Sequence, residues 1–248
     1  MRNLLHTTEI GNGTVTQGRG VHYLRVYDAD ATAYHDAQLT DYTLPARNFV
    51  HGPGTGSVAL TAQFDRSNPQ GTAGFGLWNH PFSPEMRGLP RPPQAAWFFY
   101  GSPPNDMPLA RGVPGYGWKA TTISALRAPF WGLLPFAPLG FVLNRIPVMF
   151  DLVWPLAQDA IACRETRLDP AIMTHETRYE IGWERDAVTF TVDGRTVLES
   201  HFRLGGAMGF IAWIDNQYAV VTPQGRFGWG LVEVPAAQGL AVWDLDLG

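Results

Sequence analysis

The sequence predicts an all-β fold, an antiparallel β-sandwich carrying one short apolar, partly helical insertion at 127–166. Three observations lead there. Tyr179/Ile181/Trp183 and Val188/Phe190/Val192 alternate on either side of Glu184-Arg185-Asp186, and Asp193-Gly194 opens a second tight turn before Arg195-Thr196-Val197-Leu198. Period-two alternation broken by charged turns is the pattern of a meander. The same alternation recurs at Ser57 to Phe64, with Val58, Leu60, Ala62 and Phe64 on one face, and at Met208 to Asp215, with Met208, Phe210, Ala212 and Ile214 on one face. Finally, 27 glycines and 20 prolines suit many turns between short strands better than long helices.

Length and composition narrow the reading. A chain of 248 residues without an obvious linker is expected to form one domain over 1–248. With 45% hydrophobic and 16% charged residues it has ample material for a core and no disorder signal. A net charge of -4 offers no basic field to a phosphate backbone, so nucleic acid is not an expected partner. The single cysteine, Cys163, excludes an internal disulfide and a cysteine-rich metal site. The first residues lack the apolar run of a secretory signal, so a cytoplasmic protein is expected.

Taken in order, residues 1–20 read as a polar, Gly-rich arm with a turn at Gly11-Asn12-Gly13, and Val21 to Tyr27 as the first firm strand. Residues 34–42 are polar enough for an edge or rim. In Gly71 to His80, Phe75 and Leu77 point one way while Gly74, Gly76, Trp78 and His80 point the other. Glycines inside a strand mark where something approaches the backbone, which makes that second face a candidate binding surface. Pro81 to Pro93 reads as a loop, and Gln94 to Tyr100 as a central strand, apolar on both sides. Ala128 to Asn144 carries no charge; it is too short to span a membrane, and Pro129, Pro135 and Pro138 would break a spanning helix. It is either an insertion packed over one end of the sheet or an apolar lid or membrane-surface foot at 128–150. Asp151 to Thr166 has helical spacing, Pro223 to Trp229 reads as a loop, and Gln238 to Leu247 as the closing strand.

The order of these pieces resembles the concanavalin A-like lectin/glucanase superfamily, nearest to the β-jelly roll of laminarinase- and lichenase-type glycoside hydrolases. The resemblance rests on Tyr179-Glu180-Ile181-Gly182-Trp183, the charged turn, Val188 to Gly194, and the closing Gln238 to Leu247. It covers residues 57–100 and 175–247. Retaining hydrolases need two carboxyl groups about 5 Å apart, which that family supplies as E-x-D-x-x-E on one strand. The equivalent strand here, Ala95 to Tyr100, has no carboxylate. The resemblance also implies that a structural calcium is possible; no other cofactor is expected.

Candidate chemistry follows from strand phase. Gln63, Trp78, His80, Tyr100, Trp213 and Asp215 are assigned to a concave face, with Asn79 and Asn216 at strand ends completing a ligand set. Aromatic rings beside amide, imidazole and carboxylate groups suit a sugar. Asp106 and Lys119 are weaker rim candidates. The expected partner is therefore a carbohydrate or small-molecule ligand. If the protein is catalytic, His80 and Asp215 are the acid/base pair; if it takes an apolar small molecule, Trp131, Phe136 and Phe141 line an enclosed pocket under a 128–150 lid.

Overall fold

The computed structural model describes residues 5–44, 46, 48–80, 92–201, 203 and 205–248. Among them the strands run, in chain order, β1 (His6–Ile10), β2 (Gly13–Gly18), β3 (Val21–Val26), β4 (Asp36–Thr40), β5 (Gly56–Phe64), β6 (Thr72–Trp78), β7 (Gln94–Gly101), β8 (Gly117–Ser124), β9 (Arg164–Arg167), β10 (Thr177–Trp183), β11 (Val188–Val192), β12 (Arg195–Ser200), β13 (Gly209–Asp215), β14 (Gln217–Val221), β15 (Phe227–Leu231) and β16 (Gln238–Asp246). Two seven-stranded sheets result, ordered β1-β4-β13-β6-β7-β8-β9 and β12-β11-β10-β5-β16-β3-β2, beside a β14-β15 hairpin. The all-β antiparallel sandwich expected from the sequence is the fold observed.

The meander forms as read. Tyr179, Ile181 and Trp183 of β10 lie opposite Val192, Phe190 and Val188 of β11, so all six share one face. Asp193 (φ 47°) and Gly194 (φ 74°) both take the left-handed conformation that a two-residue hairpin turn requires. The inner faces of the two sheets meet in an aromatic interlock. Phe75 and Phe98, cross-strand partners on β6 and β7, each stand 4.9 Å from Tyr179 of the other sheet, and Trp118 of β8 reaches Phe64 of β5 at 5.6 Å.

Several elements depart from the sequence reading. The N-terminal arm does not fray: β1 pairs with β4 in one sheet and β2 with β3 in the other, so the turn at Gly11 joins the two layers. Residues 223–229 are not all loop, because Phe227 onward pairs back on β14. The proline-rich 81–93 segment lies outside the described residues except for its last two.

The insertion is more helical than expected: α1 (Ala128–Leu133), α2 (Ala137–Leu143) and α3 (Pro147–Ala160). Pro129 and Pro138 occupy first-turn positions of α1 and α2, where the missing N–H is unbonded anyway, and Pro135 lies in the short 3-10 turn Leu134–Phe136 between them. Pro155 is tolerated inside α3. The helical spacing does not continue to 166, since Arg164–Arg167 is strand β9 on the edge of β8. Trp131 and Phe136 are exposed, at 53% and 64%, so they do not line an enclosed apolar pocket. Cys163 is buried, and burial pushes its thiol up, as suits a packing residue.

Gly76 sits at φ 150°, and a Cβ there would meet the Ala96 carbonyl oxygen at 2.5 Å and the Trp97 Cα at 2.6 Å. Gly76→Ala is therefore expected to lower stability by about 1–3 kcal/mol through overpacking between β6 and β7. Urea denaturation monitored by circular dichroism checks this; an unchanged midpoint would refute it.

Candidate functional site

Because the core takes Ala73, Phe75 and Leu77 of β6, Ala96, Phe98 and Tyr100 of β7, and Phe210, Ala212 and Ile214 of β13, the alternate residues project from the outer face of that sheet. There Trp78, Trp97 and Trp213 form a file of rings, with centroids 5.7 Å apart between Trp78 and Trp97 and 5.4 Å between Trp97 and Trp213. Phe99, Ile211 and Met107 pack around them. Trp78 and Trp97 stay half-buried, while Trp213 and Phe99 are buried. The strand glycines do admit a close approach, but by the protein itself: a Cβ on Gly74 would meet the Phe98 carbonyl oxygen and the Trp213 indole (2.9 Å), and one on Gly76 the neighbouring β7 backbone and the Trp97 Cβ (2.7 Å).

At one end of the file, Trp213 Nε1 donates to Thr72 Oγ1 (3.1 Å), and that hydroxyl donates to Asp215 Oδ1 (2.8 Å). Asp215 also accepts from Gln217 Nε2 (2.7 Å) and Tyr34 Oη (3.3 Å). Directly across the β4–β13 ladder stands Asp36, fully buried on the same face. Its two carboxyl oxygens meet no hydrogen-bond partner among the described residues; Tyr34 and Gln38 lie near enough to favour its ionised form but not in bonding geometry. Burial, and secondarily the Asp215 charge, holds the Asp36 carboxyl well above the usual carboxylate range. Asp215 is raised by burial to about 6, its hydrogen bonds to Thr72 and Gln217 opposing the rise. Two like charges side by side cannot both ionise cheaply, so the pair retains a proton in mildly acidic solution.

At the other end, Trp78 Nε1 donates to Tyr42 Oη (2.7 Å), which bonds His80 Nδ1 (2.9 Å). The His80 ring lies 4.6 Å from the Trp78 ring, at φ 42° just past the strand. Lys119, expected at a rim, is buried instead. It donates to the carbonyls of Met107 and Pro114 and to Glu165 (2.9 Å), clamping the 102–116 connection against this face. Asp106, the other rim candidate, pairs with Arg226.

The sequence-chosen residues are thus only partly brought together. Trp78, Trp213 and Asp215 share the face. His80 and Asp215 do not meet: Asp215 bonds Thr72 at the start of β6, His80 follows its far end, and about 3.3 Å per strand residue separates them by about 20 Å or more. Tyr100 points into the core, because its neighbour Phe98 is locked there. Gln63 lies on β5 of the other sheet and donates to the Thr174 carbonyl (2.9 Å). Asn79 is buried, donating to the Pro92 carbonyl and accepting from Gln94 N, which fixes the start of β7. Asn216 is a buried hub accepting from His35 N and donating to the carbonyls of Asp30, Ala33 and Val232. Missed were Trp97, hidden in a strand apolar on both sides, and Asp36 with Tyr34, hidden in a segment read as polar rim. The signal for Trp97 was parity, since it follows Ala96 as Trp78 follows Leu77. Among the described residues, no group of three or more His, Cys, Asp or Glu side chains is arranged to hold a metal ion.

The chain's similarity to known proteins is one of structure. No protein-family model matches the chain, and no curated protein does. Solved structures do. One described with the endo-acting O-glycanases that human gut microbiota express to initiate mucin breakdown is 10% identical, with 98% of this chain and 90% of that one covered and a TM-score of 0.50. A prokaryotic β-1,3-1,4-glucanase (lichenase) from a mouse hindgut metagenome is 12% identical (99% and 92% covered, TM-score 0.48), and a Bacillus licheniformis β-glucanase 8% identical (99% and 91%, TM-score 0.48). At these identities the likeness is one of fold. What the chain shares with the first of these is the two-sheet antiparallel β-sandwich that the late strand pair and closing strand implied.

The carboxyl pair has a signed consequence for stability. Folding raises the Asp215 value from 3.8 to about 6 and that of Asp36 well upward, so the folded state holds extra protons. That contribution is complete below about pH 4 and is lost as pH rises through about 6 and above. Asp36→Asn, whose amide can donate to Asp215, is expected to raise the melting temperature by about 2–4 °C at pH 8 and by much less at pH 4. Thermal melts of both proteins across that range decide it; an equal shift at the two pH values would contradict the assignment.

Proposed function

We propose that the protein binds a carbohydrate, or the glycan of a glycoconjugate, on the outer face of the β1-β4-β13-β6-β7-β8-β9 sheet. The observation that carries this reading is the file of three indoles, of which Trp78 and Trp97 are only half-buried. A pyranose presents a C–H face that packs on an indole and hydroxyls that need hydrogen-bond partners. The rings supply the first. Gln217, exposed beside Asp215, and the part-exposed Tyr34 supply the second. The fold supports the reading only as a scaffold on which such sites occur.

A second reading, a hydrolase or lyase with a non-standard site, is favoured by one observation. Asp36 and Asp215 lie side by side on the ligand face, and a carboxyl still protonated near pH 6 can serve as a general acid. In this reading Asp215 acts with Asp36 in place of His80. It requires that Asp215→Asn abolish cleavage while leaving binding; unchanged turnover in that variant would sink it.

The binding reading is tested by a thermal-shift screen against oligosaccharides followed by titration of Trp97→Ala and Trp78→Ala. Each truncation is expected to weaken a glycan that binds by roughly 3- to 10-fold. No shift with any glycan, or unaltered affinity in both variants, would remove the carbohydrate assignment.

A further inference from the structure

The insertion breaks the rule that apolar side chains end up covered. Between residues 126 and 148 the only buried residue is Asn144, although the stretch Ala128 to Asn144 is without charge. α1 and α2 bury none of their residues. Phe136 is 64% exposed, Val148 71% and Leu152 66%. The hairpin extends the same surface: Phe141 of α2 packs on Phe227 of β15 at 5.5 Å, Asn144 Nδ2 donates to the Pro223 carbonyl, and Trp229 beside them is 85% exposed. A contiguous apolar surface on this scale marks an interaction site.

Length and charge indicate what covers it. The helices span 6, 7 and 14 residues, and no described helix is long and apolar enough to cross a membrane, so the patch can only lie against a surface. Between 126 and 150 the only charged residues are Arg127 and Arg145. Their guanidinium groups bond the backbone carbonyls of Asp159 and Gln224, and among the described residues neither is in a salt bridge. The acids of α3 are already paired: Asp151 with Arg111 and Asp159 with Arg164. The patch therefore combines aliphatic side chains, Trp131 and Trp229 indoles suited to a wet apolar boundary, and two uncompensated cations at its border. That is the chemistry of a bilayer surface with anionic headgroups.

We propose that helices α1–α3 and the β14–β15 turn seat the protein peripherally on an anionic phospholipid bilayer. This stands independently of the carbohydrate reading, since it uses none of the residues of the indole face. The experiment is co-sedimentation of the full chain with vesicles of phosphatidylcholine plus phosphatidylserine, and with vesicles of phosphatidylcholine alone, alongside light scattering of the free protein. The chain is expected to pellet with the mixed vesicles, to lose that binding in Phe136→Asp and Leu152→Asp, and to lose about fivefold in partition for each of Arg127→Gln and Arg145→Gln. All four positions are exposed, so the variants should melt like the parent. Absence of binding to either vesicle would overturn the proposal. So would a parent protein that is oligomeric and becomes monomeric in the two aspartate variants, which would assign the patch to a second copy. Equal binding to both vesicle types, unaffected by the arginine variants, would overturn the anionic assignment.

Discussion

The interlock of Phe75, Phe98 and Trp118 with Tyr179, Phe64 and Phe190 is the constraint on which the rest of the molecule depends. Each such ring pair contributes about 0.5–1.5 kcal/mol beyond the area it removes from water. Its larger effect is on phase. A strand displaced by one residue turns every side chain to the other face, so locking Phe75 and Phe98 inward commits Gly74, Gly76, Trp97 and Phe99 outward. The indole file is therefore a consequence of core packing on the opposite side of the same strands. Its supports are equally indirect: Gly74 makes room for the Trp213 ring, and a buried lysine holds a loop against the file.

What was legible in the sequence was whatever had contrast between two faces. The β5, β10 and β11 segments alternate apolar with polar or small residues, and their inward sets were read correctly. The β7 segment offered none, with Ala95 to Tyr100 apolar throughout, so Tyr100 was placed outside and Trp97 overlooked; only pairing with β6 resolves that parity. Gln63 was given the right face of its strand but the wrong sheet, which alternation cannot reveal. The prolines of the insertion were read as breaking a spanning helix, and the stretch does divide into short helices, with Pro129 and Pro138 in the first turns of two of them.

The candidate site was half legible for a related reason. Aromatic residues announce themselves, but the carboxyl group that most shapes the polar end, Asp36, lies in a stretch whose polarity suggests solvent. Its burial follows from the antiparallel neighbour that places Asp215 opposite it, and no local pattern encodes that. Likewise, His80 and Asp215 were attractive partners by type, yet the length of one strand keeps them apart. Chemistry chosen by residue type needs topology before it becomes a site.

Strand order also bears on how the molecule assembles. In the second sheet β16 lies between β5 and β3, so a strand near residue 240 fills a place flanked by strands near residues 24 and 60. A chain growing from its N-terminus must hold both of those edges unpaired until residues 238–246 have been made. The core side chains Leu24, Leu60 and Phe64 wait with them, part of their cover missing. Such long-range closure is slow, and exposed edges recruit other chains in the meantime. Yield of native protein should thus be governed by the rate at which the last strand arrives, as well as by the stability of the sandwich it completes.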